Sequence, residues 1–164
     1  MKPNILFISV PIMLFSVSVL ASPAQLSTTD EAAAFRAAGY TLKGKQWHSA
    51  CDDPGTPSYT PGAIEQVRDL NGDNLPEAVI TEGGTYCYGN TGTGYSLVSK
   101  QANGSWKLIT SGTGIPNFLT TKGSGGWPDI EIGGPGFCFP VERWNDHEYV
   151  LQRHQYENKP CKPN

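Results

Sequence analysis

The feature that most limits how this chain can fold is an order of local patterns that occurs twice. Residues 75–80 form a short apolar strand pattern, followed by a glycine pair, Cys87 and a hairpin pattern. Residues 127–132 begin the same order, which continues through a second glycine pair, Cys138 and a second hairpin pattern. Repeated units of this kind bury their apolar faces against each other. The repeat therefore predicts two similar antiparallel units packed together.

The hairpin patterns are defined by their turns. Residues 95–101 and 105–110 are rich in β-branched and aromatic residues and flank Asn103-Gly104, a dipeptide typical of two-residue hairpin turns. The second hairpin is predicted within residues 137–152. Glycine and proline supply 32 of the 164 residues (19 + 13), which favours turns and short strands over a helical bundle. We predict an all-β fold of about eight antiparallel strands in two similar hairpin-containing units.

One short helix is expected before the strands. Thr28 and Glu31 fit a capping box, in which a hydroxyl at the N-cap and a carboxylate at N3 bind free backbone N–H groups. Good helix formers follow through Ala38, and Gly39 has the place of the glycine that ends a helix. This pattern predicts an N-terminal helix of about ten residues.

The first 21 residues have the pattern of a secretory signal peptide. Lys2 precedes an apolar run over residues 5–20, and Val19 and Ala21 are the small residues that signal peptidase accepts. The sequence thus predicts a signal peptide over residues 1–21 and a single β-rich domain over residues 22–164, in the periplasm or secreted. The net charge of −3 becomes −4 on removal of Lys2, the only charged residue among the first 21. Such a chain offers no basic surface for nucleic acid or anionic lipid.

The four cysteines all follow the predicted cleavage site. An even number of cysteines in an oxidising compartment predicts two disulfides, and the long gaps between them do not fit a zinc site. Three pairings remain open from the sequence. The residues are Cys51, Cys87, Cys138 and Cys161.

A nine-residue segment from Asp69 to Glu77 carries oxygen ligands at alternating positions. Side-chain oxygens at positions 1, 3, 5 and 9, with a backbone carbonyl at position 7, can wrap a hard cation, and this set suits Ca²⁺. A plain turn rich in Asn and Asp is the alternative. The corresponding segment of the second unit, residues 121–129, lacks nearly every ligand, so one site is expected. The candidate ligands are Asp69, Asn71, Asp73, Leu75 and Glu77.

The segment Asp69-Leu-Asn-Gly-Asp73, followed by a proline, an acid and an apolar strand, resembles the calcium loop of FG-GAP/VCBS-type repeats. Small secreted bacterial proteins with two such units resemble the periplasmic inhibitors of i-type lysozyme and the immunity proteins against peptidoglycan-degrading effectors. The resemblance implies a partner-binding protein in which a Ser-Gly loop enters the cleft of a hydrolase. The candidate loops are residues 91–95 and 111–114, and hairpin ends that need glycine are the alternative. The candidate partner-binding residues are Thr93, Tyr95, Ser111 and Gly112.

The sequence contains no established hydrolase motif, so binding is favoured over catalysis. The histidines His48, His147 and His154 are scattered along the chain, and Glu142 and Arg143, adjacent on one strand, must face opposite sides. Asp129 and Glu131 share a strand face and are expected to be solvated. A secreted hydrolase of another type therefore stays an alternative to a lysozyme or hydrolase inhibitor held in shape by Ca²⁺. In the inhibitor hypothesis, Ca²⁺ would hold the loop and so fix the geometry of the binding rim.

The aromatic residues leave one further alternative, a cell-envelope carbohydrate-binding module. Trp106 and Trp127 are the tryptophans that such a platform would use, although packing within hairpins also explains Trp106. Alternation places Phe137, Phe139 and Val141 on one face, and these three residues are predicted to be core.

Overall fold

The computed structural model describes residues 25–51 and 53–163, so the predicted signal peptide over residues 1–21 lies outside the described residues. The chain forms mostly strands, all paired antiparallel. The all-β class with a short N-terminal helix is thereby confirmed. The helices are α1 Thr28–Ala37 and α2 Thr85–Tyr88, and the strands are β1 Thr41–Lys43, β2 Gln46–His48, β3 Thr60–Arg68, β4 Glu77–Gly83, β5 Thr93–Lys100, β6 Trp106–Thr113, β7 Ile115–Lys122, β8 Pro128–Gly133, β9 Phe139–Trp144, β10 Tyr149–Tyr156 and β11 Lys159–Pro160.

The strands form two sheets that repeat one topology. The first sheet has the order β1-β2-β3-β4-β5-β6 and the second β11-β10-β9-β8-β7. Each contains a four-stranded meander, β3 to β6 and β7 to β10, and these eight strands are the number expected. The three additional strands have two or three residues each. Both predicted hairpins are present, as β5–β6 and β9–β10.

The alternating strand directions give the molecule two distinct ends. The β3–β4 and β7–β8 connections lie together at one end, because a Cβ on Gly126 would overlap the backbone of Asn71. We call this the aspartate end. The β4–β5 and β8–β9 connections lie together at the other end, where a Cβ on Gly134 would lie 3.5 Å from Oγ1 of Thr91. We call this the glycine end.

The core consists of two layers of apolar contacts. Ala78 and Ile80 face α1, whereas their neighbour Val79 faces the second sheet, as expected from the alternation of side chains along a strand. Trp106 packs in the first layer and Trp144 in the second. The order of layers is therefore helix, first sheet, second sheet.

Two details differ from the sequence-based predictions. The α1 N-cap is Ser27 and not Thr28, because the Asp30 backbone N–H donates to Ser27 Oγ (3.1 Å). This register lets the Asp30 carboxylate accept from Lys100 Nζ (2.9 Å) and Trp106 Nε1 (3.1 Å).

The core prediction for Phe137 is wrong. The Phe137 side chain is 61% exposed, whereas Val141 is buried. Strand β9 begins only at Phe139, and Cys138 has a φ of 66°, so the alternation does not extend back to Phe137.

Two disulfides are present, as predicted. Cys51 pairs with Cys87 and Cys138 pairs with Cys161, with Cα atoms 6.0 and 5.7 Å apart. Cys87 lies in the β4–β5 connection and Cys138 in the β8–β9 connection, so each repeat is crosslinked at the glycine end. The described residues include no helix long and apolar enough to cross a membrane.

Candidate functional site

The segment between β3 and β4 is curled around its own side chains. The Asp69 carboxylate accepts from the backbone N–H groups of Gly72 (2.7 Å) and Asn74 (2.9 Å). Asn71 Oδ1 accepts from Asp73 N–H (2.9 Å), and Asp73 Oδ1 accepts from Leu75 N–H (2.8 Å). Such bonds reverse the chain within a few residues and turn alternate side chains inward.

Asn74 makes the sharp turn in this curl. Its φ is 67°, in the left-handed region that Asn tolerates better than most other non-glycine residues. Asn74 is the sixth residue of the segment, where cation-binding loops of this type use glycine. Asn74 can therefore make the same sharp turn that glycine makes in those loops.

Glu77 differs from the other candidate ligands because it is buried. Its carboxylate accepts from Leu70 N–H (2.7 Å) and from Ser99 Oγ (2.8 Å), and the side chain is 1% exposed. Burial raises the pKa of Glu77, and the negative charges of Asp73 and Asp69 raise it further. Glu77 therefore fastens the loop to β5.

The chemistry of the loop suits a hard cation. Asp69, Asn71 and Asp73 offer side-chain oxygens and Leu75 a carbonyl, the ligand types that Ca²⁺ prefers. Within residues 25–51 and 53–163, no three His, Cys, Asp or Glu side chains are grouped closely enough to hold a metal ion. The predicted Ca²⁺ ligands remain Asp69, Asn71, Asp73, the Leu75 carbonyl and Glu77, and the Glu77 carboxylate already accepts from Leu70 N–H and Ser99 Oγ.

The candidate partner-binding residues lie together on neighbouring strands. Tyr95 is paired with Gly112 across β5 and β6, and Ser111 is paired with Ser96. These residues are in strand ends and not in free loops. Ser111 is exposed, whereas Tyr95 is 3% exposed with its ring directly beneath Gly112, where a Cβ would lie 3.2 Å from Cε1. Burial raises the pKa of Tyr95 to about 12. Thr93, half-buried, begins β5 beside them.

The loop over residues 69–77 and these strand ends are at opposite ends of the first sheet. Glu77 at the start of β4 is paired with Ser99, and Gly83 at its end is paired with Thr93. The six residue-to-residue steps from Glu77 to Gly83 span about 20 Å. A cation in the loop therefore does not touch the rim that it was expected to shape.

A buried carboxylate that was not anticipated holds the glycine end together. Glu82, 1% exposed, accepts from the N–H of Ser49 (3.0 Å), from Ser49 Oγ, from the Tyr59 hydroxyl (2.8 Å) and from the Tyr88 hydroxyl (2.6 Å). Burial opposes ionisation of Glu82, but the hydrogen bonds from Ser49, Tyr88 and Tyr59 outweigh it and lower its pKa. The Tyr59 hydroxyl also bonds His48 Nδ1 (2.7 Å).

Asp129 is not solvated, contrary to expectation. Its carboxylate is fully buried beneath Arg143 and Arg153, which donate to it at 2.8–2.9 Å, and it also accepts from Thr121 Oγ1 (2.6 Å). Burial opposes its ionisation, but the hydrogen bonds from Arg143, Thr121 and Arg153 hold the pKa of Asp129 well below its usual range. Asp129, Arg143 and Arg153 thus form one ion-pair group around a buried carboxylate.

The two tryptophans that were candidates for a carbohydrate-binding surface are buried. The Trp106 and Trp127 rings are 9% and 8% exposed, so they present no aromatic face to a carbohydrate. Among the described residues, the most exposed aromatic side chains are Tyr86 and Phe137, and the strand patterns did not predict their exposure because both lie outside the strands. Tyr86 precedes Cys87 and Phe137 precedes Cys138, and the triplet aromatic-Cys-aromatic, present in both repeats, is the signal that could have found them.

Comparison of the chain with protein-family models, curated proteins and solved structures finds no match. The class that the geometry defines is a disulfide-bonded protein of two stacked antiparallel sheets.

Proposed function

We propose that this chain is a calcium-binding protein of the periplasm or secreted fraction that binds and inhibits a lysozyme-like or other peptidoglycan hydrolase. The observation that carries the proposal is the construction of the glycine end. Both disulfides and the buried Glu82 fix this end, and Thr93 and Ser111 lie there on paired strands. A rigid surface loses little conformational entropy on binding, which is what a tight inhibitor needs.

The hydrogen bonds of the buried acids also favour a binding protein over an enzyme. Glu77, Glu82 and Asp129 are the acids buried most deeply among the described residues, and each accepts at least two hydrogen bonds. A general acid or base needs a carboxyl group that can reach a substrate. These three carboxylates instead fasten loops and strands.

Calcium has a structural role in this proposal. The ion would neutralise Asp69 and Asp73 and hold the β3–β4 connection, which packs on the β7–β8 connection through Asn71 and Gly126. Because this contact joins the two sheets, calcium stabilises their packing and leaves the partner-binding end free.

A titration tests the proposal. The purified chain from residue 22 onward, at micromolar concentration with Ca²⁺, is added to a panel of lysozymes and peptidoglycan hydrolases, and cell-wall lysis is followed by turbidity. We expect stoichiometric loss of activity of at least one enzyme. An unaffected panel contradicts the inhibitor function.

A further inference from the structure

The outer face of the second sheet carries a connected network of polar side chains. Val141 on β9 is paired with Glu131 on β8 and with Arg153 on β10, so these three side chains share one face. Ile130, the neighbour of Glu131, packs in the core between the two sheets. The face of Glu131, Val141 and Arg153 is therefore the one directed away from the first sheet.

Arg153 is held between two acceptors on this face. Its Nε donates to Gln155 Oε1 (3.0 Å), and its Nη1 donates to Asp129 Oδ2 (2.9 Å). Both acceptors are fixed, because Asp129 is fully buried and Gln155, 5% exposed, donates to the Glu131 carboxylate (2.7 Å). The position of the Arg153 guanidinium is thus set by the fold, which lowers the entropic cost of binding a ligand there.

A trough of about 600 Å³ lies beside Arg153 on the second sheet. Phe118 and Leu119 of β7 line one part of it and supply apolar surface. The other lining side chains are polar, and among the described residues that line the trough Arg153 is the only charged one. The uncharged polar lining residues are Thr120, Thr121, Gln155 and Asn158.

Arg153 keeps hydrogen-bond donors for a ligand. A guanidinium has five N–H groups, and Arg153 uses one on Nε and one on Nη1 within the fold. The other three, two on Nη2 and one on Nη1, have no acceptor among residues 25–51 and 53–163, and the side chain is 30% exposed. Adjacent guanidinium N–H groups match the two oxygens of a carboxylate.

The charges around the trough favour a ligand with a single negative charge. Arg143 and Arg153 share one carboxylate, that of Asp129, so the ion-pair group has one net positive charge. Glu131 offsets this charge but lies behind Gln155 and also accepts from Asn117 (3.4 Å). Three further charged residues are next in sequence to lining residues and add one positive charge in sum, namely Lys122, Glu157 and Lys159. The surface is thus slightly positive in a chain whose net charge is −3.

We propose that this trough binds an organic carboxylate. Arg153 pairs with the carboxylate, the hydroxyl of Thr120 and the amide of Asn158 donate to the polar atoms beside it, and Leu119 contacts an adjoining apolar group. The carboxylate of a peptide and that of a sugar acid share this chemistry. The site is separate from the proposed inhibition of a hydrolase and from the predicted Ca²⁺ ligands.

Matched probes test the recognition of the carboxylate. N-acetyl-L-leucine and its uncharged amide are titrated into the ¹⁵N-labelled chain from residue 22 onward, and glucuronate and glucose form the second pair. We expect each carboxylate to shift the Arg153 Nε–H signal and the backbone signals of residues 118–121, and each uncharged partner to bind at least about 10-fold more weakly. The carboxylate that binds more tightly assigns the source as a peptide or a sugar acid.

Variants test the residues. Arg153→Met is expected to weaken binding about 10-fold or more, whereas Lys107→Met, which removes the same charge at an exposed residue of β6, changes it less than about twofold. Because Arg153 also bonds Asp129, melting temperatures show whether this variant folds. Thr120→Val with Asn158→Gly leaves the ion-pair group intact and is expected to weaken binding about fivefold, since glycine accepts the φ of 62° at Asn158.

Three results would overturn the site. With a Kd of about 1 mM the trough is nearly saturated at about 20 mM probe, so the absence of shifts there with both carboxylates rules it out. Equal binding of N-acetyl-L-leucine and its amide shows that the carboxylate is not recognised. Inorganic phosphate that binds more tightly than both carboxylates assigns the trough to another class of anion.

Discussion

At the residue scale, the fold depends on a few carboxylates that are buried and fully bonded. Glu82 joins Ser49, Tyr59 and Tyr88, and Asp129 joins Arg143, Arg153 and Thr121. An ionised group in such a position costs desolvation and is stabilising only while all its partners remain. Substitutions at these residues therefore separate structural acids from functional ones.

Asp129→Asn is expected to lower the free energy of unfolding by about 2 kcal/mol at pH 7, because its two arginines are partly exposed and can be resolvated. The pKa of Asp129 is lower in the folded chain than the unfolded value of about 3.9. Its stabilising contribution is therefore present above that value and lost as the pH falls below it. Urea unfolding at pH 7 and pH 3 measures the difference.

The control for this prediction is Glu148→Gln, at an exposed residue, which should change the unfolding free energy by less than about 0.5 kcal/mol. Equal acid sensitivity of Asp129→Asn and the unmodified chain would show that the ion-pair group does not contribute.

Asp69→Ala and Asp73→Ala are each expected to abolish stabilisation by Ca²⁺ while the fold survives, because the disulfides and both core layers are unchanged. With Ca²⁺ at about 100 times its Kd, the unmodified chain gains about 2.7 kcal/mol. Melting curves with Ca²⁺ and with chelator measure this gain. Asp146→Ala, in the β9–β10 turn, keeps the gain; equal melting of the unmodified chain in both conditions contradicts a calcium site.

At the scale of elements, α1 is positioned by its first turn. Ser27 caps the helix, and Asp30 ties it to Lys100 and Trp106 of the first sheet. Ser27→Ala is expected to cost about 1 kcal/mol of stability, whereas Thr28→Ala, one residue further on, costs little. Thermal melting compares the two variants, and a larger loss for Thr28→Ala would restore the capping box predicted from the sequence.

The elements that the sequence predicted are those with local signals. The β5–β6 hairpin follows from Asn103-Gly104, whose turn chemistry needs no distant contact. Strands β1 and β2 have three residues each and form because β2 adds to the edge of β3 at a single pair, Trp47 with Gly62. Such strands depend on tertiary packing and leave no periodic pattern in the sequence.

The candidate sites show the same division between local and distant causes. The curl of the loop between β3 and β4 could be predicted from Asp69 to Asn74, since its hydrogen bonds span at most five residues. The burial of Asp129 could not, because it depends on Arg153 from β10. The separation of this loop from the ends of β5 and β6 follows from the strand directions, which are known only from the topology of the sheet.

At the scale of the whole molecule, the two disulfides have separable effects. Each closes a loop, of sequence separation 36 for Cys51–Cys87 and 23 for Cys138–Cys161, so removal of either is expected to cost about 3–4 kcal/mol. Two double variants, Cys51→Ser with Cys87→Ser and Cys138→Ser with Cys161→Ser, test this expectation when their free energies of unfolding are measured in urea. A loss below about 1 kcal/mol for either pair would show that its connection is held by other contacts.

The two ends of the molecule differ, because Asp69 and Asp73 lie in the loop at the aspartate end, whereas both disulfides crosslink the glycine end. This arrangement leads to the central claim that the chain binds a peptidoglycan hydrolase and stops its activity. The most direct measurement immobilises the chain from residue 22 onward, captures binding partners from the envelope and secreted fractions with Ca²⁺, and assays each captured protein for cell-wall lysis with and without the chain. We predict capture of a hydrolase whose activity falls in proportion to the chain added. Captured hydrolases that keep full activity, or a chain that retains only glycan fragments, would contradict the claim.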